Sequence, residues 1–311
     1  MKVRLLERSE HNPIITPLDL EFPAAAVLNP GAAEYGGEVI LLLRVENLVG
    51  YSSIYVARSH NGVTNWRVDP QPLLNYGAAD LPYEQWGCED PRVTFLAEED
   101  RWYITYTAYS PWGAGVALAR TEDFFGVERL GLVLSPNNKD AVLFPQQFQG
   151  RWAMLHRPDA GGIEHIWSAW SPDLVHWGEP HCVLPESSGP AWDNVKVGAG
   201  PPPIPCCDGW LLIYHGVKAY GGSMVYRAGM ALLDKHRPYK VVARCPDWIF
   251  QAEAPYETSG LTPNVVFPTG VLVRGDELWI YYGAADTCVC LATCRLGDLL
   301  SEMVEYRAPI G

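Results

Sequence analysis

A two-part module recurs five times along this chain, and that recurrence limits the possible folds more than any other feature. Its first part is a Pro- or Asn-containing lead-in, then a Gly-containing or charged turn, then a run of apolar and aromatic residues. It reads "LNPGAAEYGGEVILLLRVEN", "EDPRVTFLAEEDRWYITYTAYS", "FPQQFQGRWAMLHRP", "PPIPCCDGWLLIYHGV" and "FPTGVLVRGDELWIYYGAAD". Each is predicted to form a β-hairpin, because β-branched and aromatic runs bounded by turn residues favour strands. The second part is a short apolar strand and a polar turn: "YVARSHNGVTNW", "VALARTEDFFGV", "WSAWSPDLVHW", "GMALLDKHRPYK" and "LATCRLGDLLSE". Ala57, Ala119, Ala169, Ala231 and Ala292 mark its position, with separations of 62, 50, 62 and 61 by subtraction. Five modules of this length, each with about four short strands, predict an all-β fold: one domain over 1–311, a five-bladed β-propeller around a central funnel. Helical periodicity is nearly absent, and the best helical candidate is "RLGDLLSEMVEY" near the C-terminus.

Composition then removes several classes of function. At 48% hydrophobic residues the chain has enough apolar material to fold. The formal net charge of -13 leaves no broad basic stripe to neutralise phosphates, so a nucleic-acid partner is not expected. No run reaches the length of a membrane span, and charges interrupt "MKVRLLERSEHNPIITP", so neither a membrane segment nor a signal peptide is predicted. The eight cysteines lack paired C-x-x-C zinc spacing. They read as reduced, mostly buried thiols of a cytoplasmic protein with no metal site. The 12 Trp and 16 Tyr suit a site for an amphipathic ligand such as a carbohydrate, although most aromatics of a β-rich chain belong to its core.

Ligands of a propeller bind where the inner strands begin, and the residues leading into those strands converge there: Asn29, Asp90, Arg157, Lys196, His215 and Asp286. In isolation "WGCEDPRVTF" is an Asp-Pro turn in which Arg92 pairs with a neighbouring carboxylate. At the mouth of a funnel it is more. On an extended strand Glu89 and Asp90 point to opposite sides, so one faces the channel while the other braces the loop. Burial among aromatic side chains favours the protonated form of such a carboxyl group, which suits a general acid. In "DNVKVGAGPPPIPCCDGWLLIYHGV", Lys196 and His215 flank one hairpin, and "MLHRP" adds Arg157 from the preceding module. Together they suit an oxyanion such as phosphate, and an anion held there favours the charged form of His215. Arg44 and Glu46 in "LLLRVEN" and Asp286 in "YYGAAD" are candidates for binding sugar hydroxyls. For each of these residues a turn, a surface ion pair or a satisfied core position is the alternative.

The motifs "GCEDPRVT", "MLHRP", "SPDLVHW", "DNVKVGAGPPPI", "GWLLIYHGV" and "YYGAAD", in this order, resemble glycoside hydrolase family 130, and the likeness runs from about Asn12 to about Met303. The resemblance implies a five-bladed propeller enzyme acting on β-mannosides, either a phosphorylase or a hydrolase. It implies that Asp90 is the proton donor, with the proton passing through the 3-hydroxyl of the bound mannose. It also implies that inorganic phosphate, a co-substrate with no further cofactor, attacks the anomeric carbon from the opposite face and yields mannose 1-phosphate. The family's phosphate-binding Lys and His match Lys196 and His215, and Arg157 is a further candidate. Sugar-site positions match Asn29, Arg44 and Asp286, with Glu89 as a bracing or sugar-contacting neighbour. Some members carry a phosphate-site Arg after the strand that follows the catalytic Asp; here that region reads "YTAYSPWG" and has none.

The leading expectation is therefore a cytoplasmic phosphorylase whose partners are a β-mannoside oligosaccharide and phosphate. A hydrolase of the same fold requires a second carboxylate as base, for which Glu164, Asp193 and Glu253 are candidates. The cationic residues Lys196 and His215 argue against it. The third reading is a non-catalytic carbohydrate-binding propeller, which has no need of an acid opposite a cationic cluster. Linkage, acceptor sugar and any homo-oligomer stay open; the loops "YGAADLPYEQW" and "KAYGGSMVYRAG" set the first two.

Overall fold

The computed structural model describes residues 5–306. The apolar runs of the modules are strands, and they pair into five antiparallel units. In the first, Ala26–Tyr35 pairs with Glu38–Glu46, which pairs with Ser52–Ser59, with Arg67–Val68 at the edge. The second runs Gly87–Leu96, Arg101–Ser110, Gly113–Thr121 and Glu128–Leu134. The third runs Asn138–Leu143, Trp152–Pro158, Ile166–Ser171 and Gly178–Leu184. In the fourth, Lys196–Ala199 and Ile204–Cys206 both pair with Gly209–Tyr220, followed by Ser223–Leu233 and then by Val241–Arg244 and Phe250–Gln251. The fifth consists of Val266–Arg274, Glu277–Ala284 and Cys288–Arg295, and its outer strand is the N-terminal Glu7–Arg8. A single parallel bridge, Ser52 to Gly87, links the first two units. The expected C-terminal helix is present as Leu296–Val304.

The strands read as almost continuous apolar runs because they are covered on both faces. Along Glu38–Glu46, Val39, Leu41 and Leu43 pack with Leu272, Tyr281 and Leu291 of the fifth unit. The alternate residues Ile40 and Leu42 pack with Ile104, Ala117 and Ala119 of the second. Three further clusters join the second unit to the third, the third to the fourth, and the fourth to the fifth. The units thus close into a ring, the geometry that a five-bladed propeller requires. The five marker alanines are all buried on third strands, opposite Leu41, Ile104, Met154, Leu212 and Ile280. A small side chain at that level leaves room for the neighbouring sheet.

Two strand boundaries depart from the sequence reading. The first strand of the third unit is Asn138–Leu143, not the "FPQQF" stretch, which lies in the connection before Trp152. In the fourth unit the first strand is divided, with Gly200–Pro203 between its halves. Both boundaries reflect one device: the innermost strand of each unit is interrupted near its start. Register shifts fall between Leu28 and Gly31, Glu89 and Arg92, Lys139 and Val142, and Pro268 and Gly270. At the first three, Asn29, Asp90 and Asp140 adopt left-handed backbone with φ of 47°, 48° and 52°. Asn and Asp tolerate that conformation better than other residues with a Cβ, and a bulge re-aims the side chain that occupies it.

Candidate active site

The three bulges stand side by side and are wired together. Asn29 Nδ2 donates to Asp90 Oδ1 at 2.8 Å. Arg92 donates through Nη1 to the Asp90 carbonyl at 2.8 Å and through Nη2 to Asp140 Oδ1 at 3.1 Å. Arg92 also reaches the carbonyls of Ala199 and Gly200, so its buried guanidinium ties three units together. Arg44, on the second strand of the first unit, donates to Asp90 Oδ1 and to Glu89 Oε1, both at 3.1 Å, and its Nε donates to Ser52 Oγ at 3.0 Å.

A cavity of about 350 Å³ opens over these residues. Of the candidate site residues, Asn29, Arg44, Glu46, Asp90, Arg157, Lys196 and Asp286 line it. Glu89 does not; it braces Arg44. The expectation that Glu89 and Asp90 point to opposite sides fails, because the bulge breaks strand alternation and both carboxylates meet one guanidinium. The lining is polar rather than aromatic, with Tyr226 and Phe267 its two rings.

The charges fall into two groups. Asp90, Glu46 and Asp286 gather around Arg44. Burial raises the proton affinity of Asp286; the Thr262 hydrogen bond opposes this and the Asp90 charge adds to it. Burial pushes the Asp90 pKa up, but Arg44, Arg92 and the Asn29 hydrogen bond outweigh it and hold the carboxyl below its ordinary value. The sequence expectation of a protonated Asp90 is thus corrected: in the free protein it is ionised. Glu89 has the raised pKa, from burial and the neighbouring Asp90 charge, against the pull of Arg44.

The second group is cationic and built on Asp140, which is fully buried and ionised because the charges of Arg157 and Arg92 overcome its burial. Arg157 Nε lies 2.9 Å from Asp140 Oδ2, and Nη1 lies 2.9 Å from Glu164 Oε2. Both approaches are off the hydrogen-bonding line, so these buried donors have ionic neighbours but no hydrogen bond. Lys196 Nζ is 3.8 Å from Glu164 Oε1 and 5.5 Å from the centre of the Tyr226 ring. Lys139, paired in register with Arg157, also lines the cavity.

His215 differs from the sequence reading. It does not reach the cavity surface; it is buried behind it, its ring centre 4.3 Å from that of Phe267 and its Nε2 3.4 Å from Asp140 Oδ2. Burial, only partly opposed by Asp140, lowers its pKa to about 4, so it is neutral at neutral pH instead of cationic. Gly198 makes this approach possible, because a Cβ there would overlap both the His215 ring and Asp140.

Asp140 and Lys139 were missed in the sequence. A signal existed: "KDAVLF" places an acidic residue just before an apolar run, as "EDPRVTF" does. It lacks the proline, and the hairpin assignment began too late to include it. The three candidate bases separate clearly. Asp193 is buried against Arg244 Nη2 at 2.7 Å and Tyr214 at 3.0 Å. Glu253 lies 3.5 Å from Arg8. None of the three lines the cavity, although Glu164 pairs with Arg157 and Lys196, which do. Among the described residues no group of His, Cys, Asp and Glu is placed to hold a metal ion. No helix among them is long and apolar enough to cross a membrane.

A carboxylate set among polar groups, sharing a cavity with a cationic cluster, on a ring of β-sheets, is an arrangement able to hold a hydroxyl-rich ligand beside an oxyanion. Comparison with known proteins gives the same class a family. The family model described as beta-1,4-mannooligosaccharide phosphorylase matches residues 6–305. The chain is 33% identical to a beta-1,2-mannobiose phosphorylase of Listeria innocua, covering 95% of this chain and 98% of the relative. It is 33% identical to a beta-1,4-mannooligosaccharide phosphorylase of Ruminococcus albus, covering 96% and 91%. The solved structure of the Listeria innocua enzyme with beta-1,2-mannobiose superimposes with a TM-score of 0.89 at 32% identity, over 97% of this chain and 99% of that one. The chain belongs to glycoside hydrolase family 130.

Proposed function

We propose that this protein cleaves β-mannosides by phosphorolysis, the activity that the names of its relatives give for them, and does so with inversion. The terminal mannose sits over Asp90, with Asn29, Arg44 and Asp286 in reach of its hydroxyls. Phosphate sits against Arg157, Lys196 and Lys139. A phosphate oxygen forms the new bond to the anomeric carbon, and the glycosidic bond breaks on the opposite face. The leaving oxygen takes a proton that originates on Asp90 and passes through the 3-hydroxyl of the sugar. The products are mannose 1-phosphate and the shortened acceptor. Phosphate brings negative charge into the cavity that holds Asp90 and so raises the proton affinity of that carboxyl, as an acid requires. His215 acts from behind, as a neutral support for Asp140. The reaction uses phosphate as co-substrate and draws on no cofactor. With all eight cysteines unpaired, we assign the protein to the cytoplasm.

One observation carries this reading over hydrolysis: the cations Arg157, Lys196 and Lys139 line the same cavity as Asp90. An anion held among them arrives already nucleophilic, so no second carboxylate is needed as base. The experiment is an end-product assay. Purified protein is incubated with β-1,2- and β-1,4-linked mannosides, with and without phosphate. Mannose 1-phosphate that forms only with phosphate supports the reading. Free mannose released at the same rate without phosphate overturns it in favour of the hydrolase.

A further inference from the structure

On the segments that join the first and second units stand two pairs of aromatic rings. Tyr51 and Tyr76 have ring centres 5.1 Å apart, and Trp86 and Tyr109 have theirs 5.4 Å apart. The backbone joins the two pairs: Ser52 N–H donates to the Trp86 carbonyl at 3.4 Å, and Trp86 N–H to the Tyr109 carbonyl at 2.9 Å. Tyr51 and Tyr109 are 36% and 40% exposed, and Tyr76 and Trp86 are half-buried. Ser52 ties the Tyr51 end of this row to the cavity wall. Ser52, next to Tyr51, pairs in register with Glu46 and accepts a hydrogen bond from Arg44; both partners line the cavity.

Two devices hold the row rigid. The Asn47 side chain accepts from the N–H groups of Val49 and Tyr51 at 3.0 Å and donates to the Tyr76 hydroxyl at 3.2 Å. The loop from Asn75 to Trp86 is anchored by Glu84, whose fully buried carboxylate accepts from the Tyr106 hydroxyl and from Arg129 Nε at 3.0 Å. Arg129 also donates to the Asn75 carbonyl at 3.1 Å. A buried carboxylate is costly unless paired. Here one is built into a surface loop that contributes no residue to the cavity lining but carries two of the four rings.

We propose that this row is a distal sugar platform that takes the third and further residues of an oligosaccharide whose terminal mannose occupies the cavity. The naming of the sugar rests on the phosphorolysis reading. Tyrosine and tryptophan present an apolar face with a polar edge, which suits a pyranose ring with its C–H face and equatorial hydroxyls. A rigid platform loses little entropy on binding. The platform makes the protein select chain length, not only the scissile bond.

The test is calorimetric binding to the Asp90→Asn protein, using mannobiose and mannotetraose in both the β-1,2 and β-1,4 series, repeated with Tyr51→Ala and, separately, Tyr109→Ala added. Circular dichroism checks that each variant folds. The expected result is that tetraose of one series binds about tenfold more tightly than biose, and that either replacement brings the ratio close to one. A ratio near one before any replacement, or a high ratio that survives both, overturns the platform while leaving the mannoside reading intact. A replacement that leaves the ratio unchanged but splits an oligomer in sedimentation assigns the surface to a second copy instead. Failure of every sugar to bind overturns the mannoside reading, and the platform with it.

Discussion

Asp90 has its position decided by backbone and its charge decided by neighbours. The left-handed conformation at the bulge turns its side chain toward the axis, and Asn29 and Arg44 then hold the same oxygen, Oδ1. Asp90→Asn keeps the shape and removes the transferable proton, so turnover is expected to fall by about two orders of magnitude or more, with sugar binding retained. If Glu89→Gln lowers turnover as far and Asp90→Asn does not, the two roles are reversed. The buried histidines make a second, separate expectation. His215 and His156 are both held by burial at about 4, against an ordinary value of 6.5. The unfolded chain therefore binds their protons first as pH falls, so their contribution is complete above about pH 6.5 and is lost progressively toward about pH 4. The melting temperature is expected to drop across that window, with a shallower drop for His156→Gln. A melting temperature that does not change from pH 7 to 4.5 contradicts neutral burial. Asp140, held far below the ordinary carboxylate range, keeps its charge throughout the same window.

At the scale of the element, the device that builds the site is the interrupted inner strand. A regular strand would send successive side chains to opposite faces, toward the two neighbouring units. The bulges at Asn29, Asp90 and Asp140 instead direct polar side chains to one place. Glycines make room for them: a Cβ at Gly283 would collide with the Asn29 amide, and one at Gly198 with Asp140 and His215. Gly198→Ala must therefore displace the buried Asp140 and His215 side chains rather than fill a gap. The expected cost is about 1–3 kcal/mol of stability, because a packed interior does not yield to an added methyl. The KM for phosphate should rise more than the KM for mannoside, since Arg157 is positioned by the same carboxylate. Equal effects on both would show that Asp140 supports the frame and not the anion site.

For the whole molecule, ring closure is the controlling event, and it joins the two ends of the chain. The N-terminal strand Glu7–Arg8 completes the fifth unit by pairing with Cys288–Arg295. Arg8 fixes it there, donating through Nε and Nη2 to the two oxygens of Glu257, each at 2.8 Å, and to the Gln251 carbonyl at 2.6 Å. Glu257 is fully buried and keeps hydrogen bonds from Tyr282 and from the Glu253 and Ala254 N–H groups, so Arg8→Ala removes its charged partner but not all its donors, and the expected loss is about 1.5–3 kcal/mol. Urea denaturation should show an earlier midpoint and still a single transition, because each core cluster is shared between two units; two resolved transitions would show that closure is not cooperative. The sequence by itself determined the number of units, the all-β class, the terminal helix and seven of the residues that line the cavity. It could do so because strand periodicity, turn residues and module spacing are local properties that survive being read in one dimension. Tertiary structure alone decided the rest. Whether Asp90 is charged depends on Arg44, 46 residues away, and whether His215 is cationic depends on burial that no neighbour in sequence reveals. Asp140 became the hub of the cationic cluster because Arg92, Arg157 and His215 arrive from three different units around it. Electrostatic roles are set by distance and desolvation, and those come into being only when the ring closes.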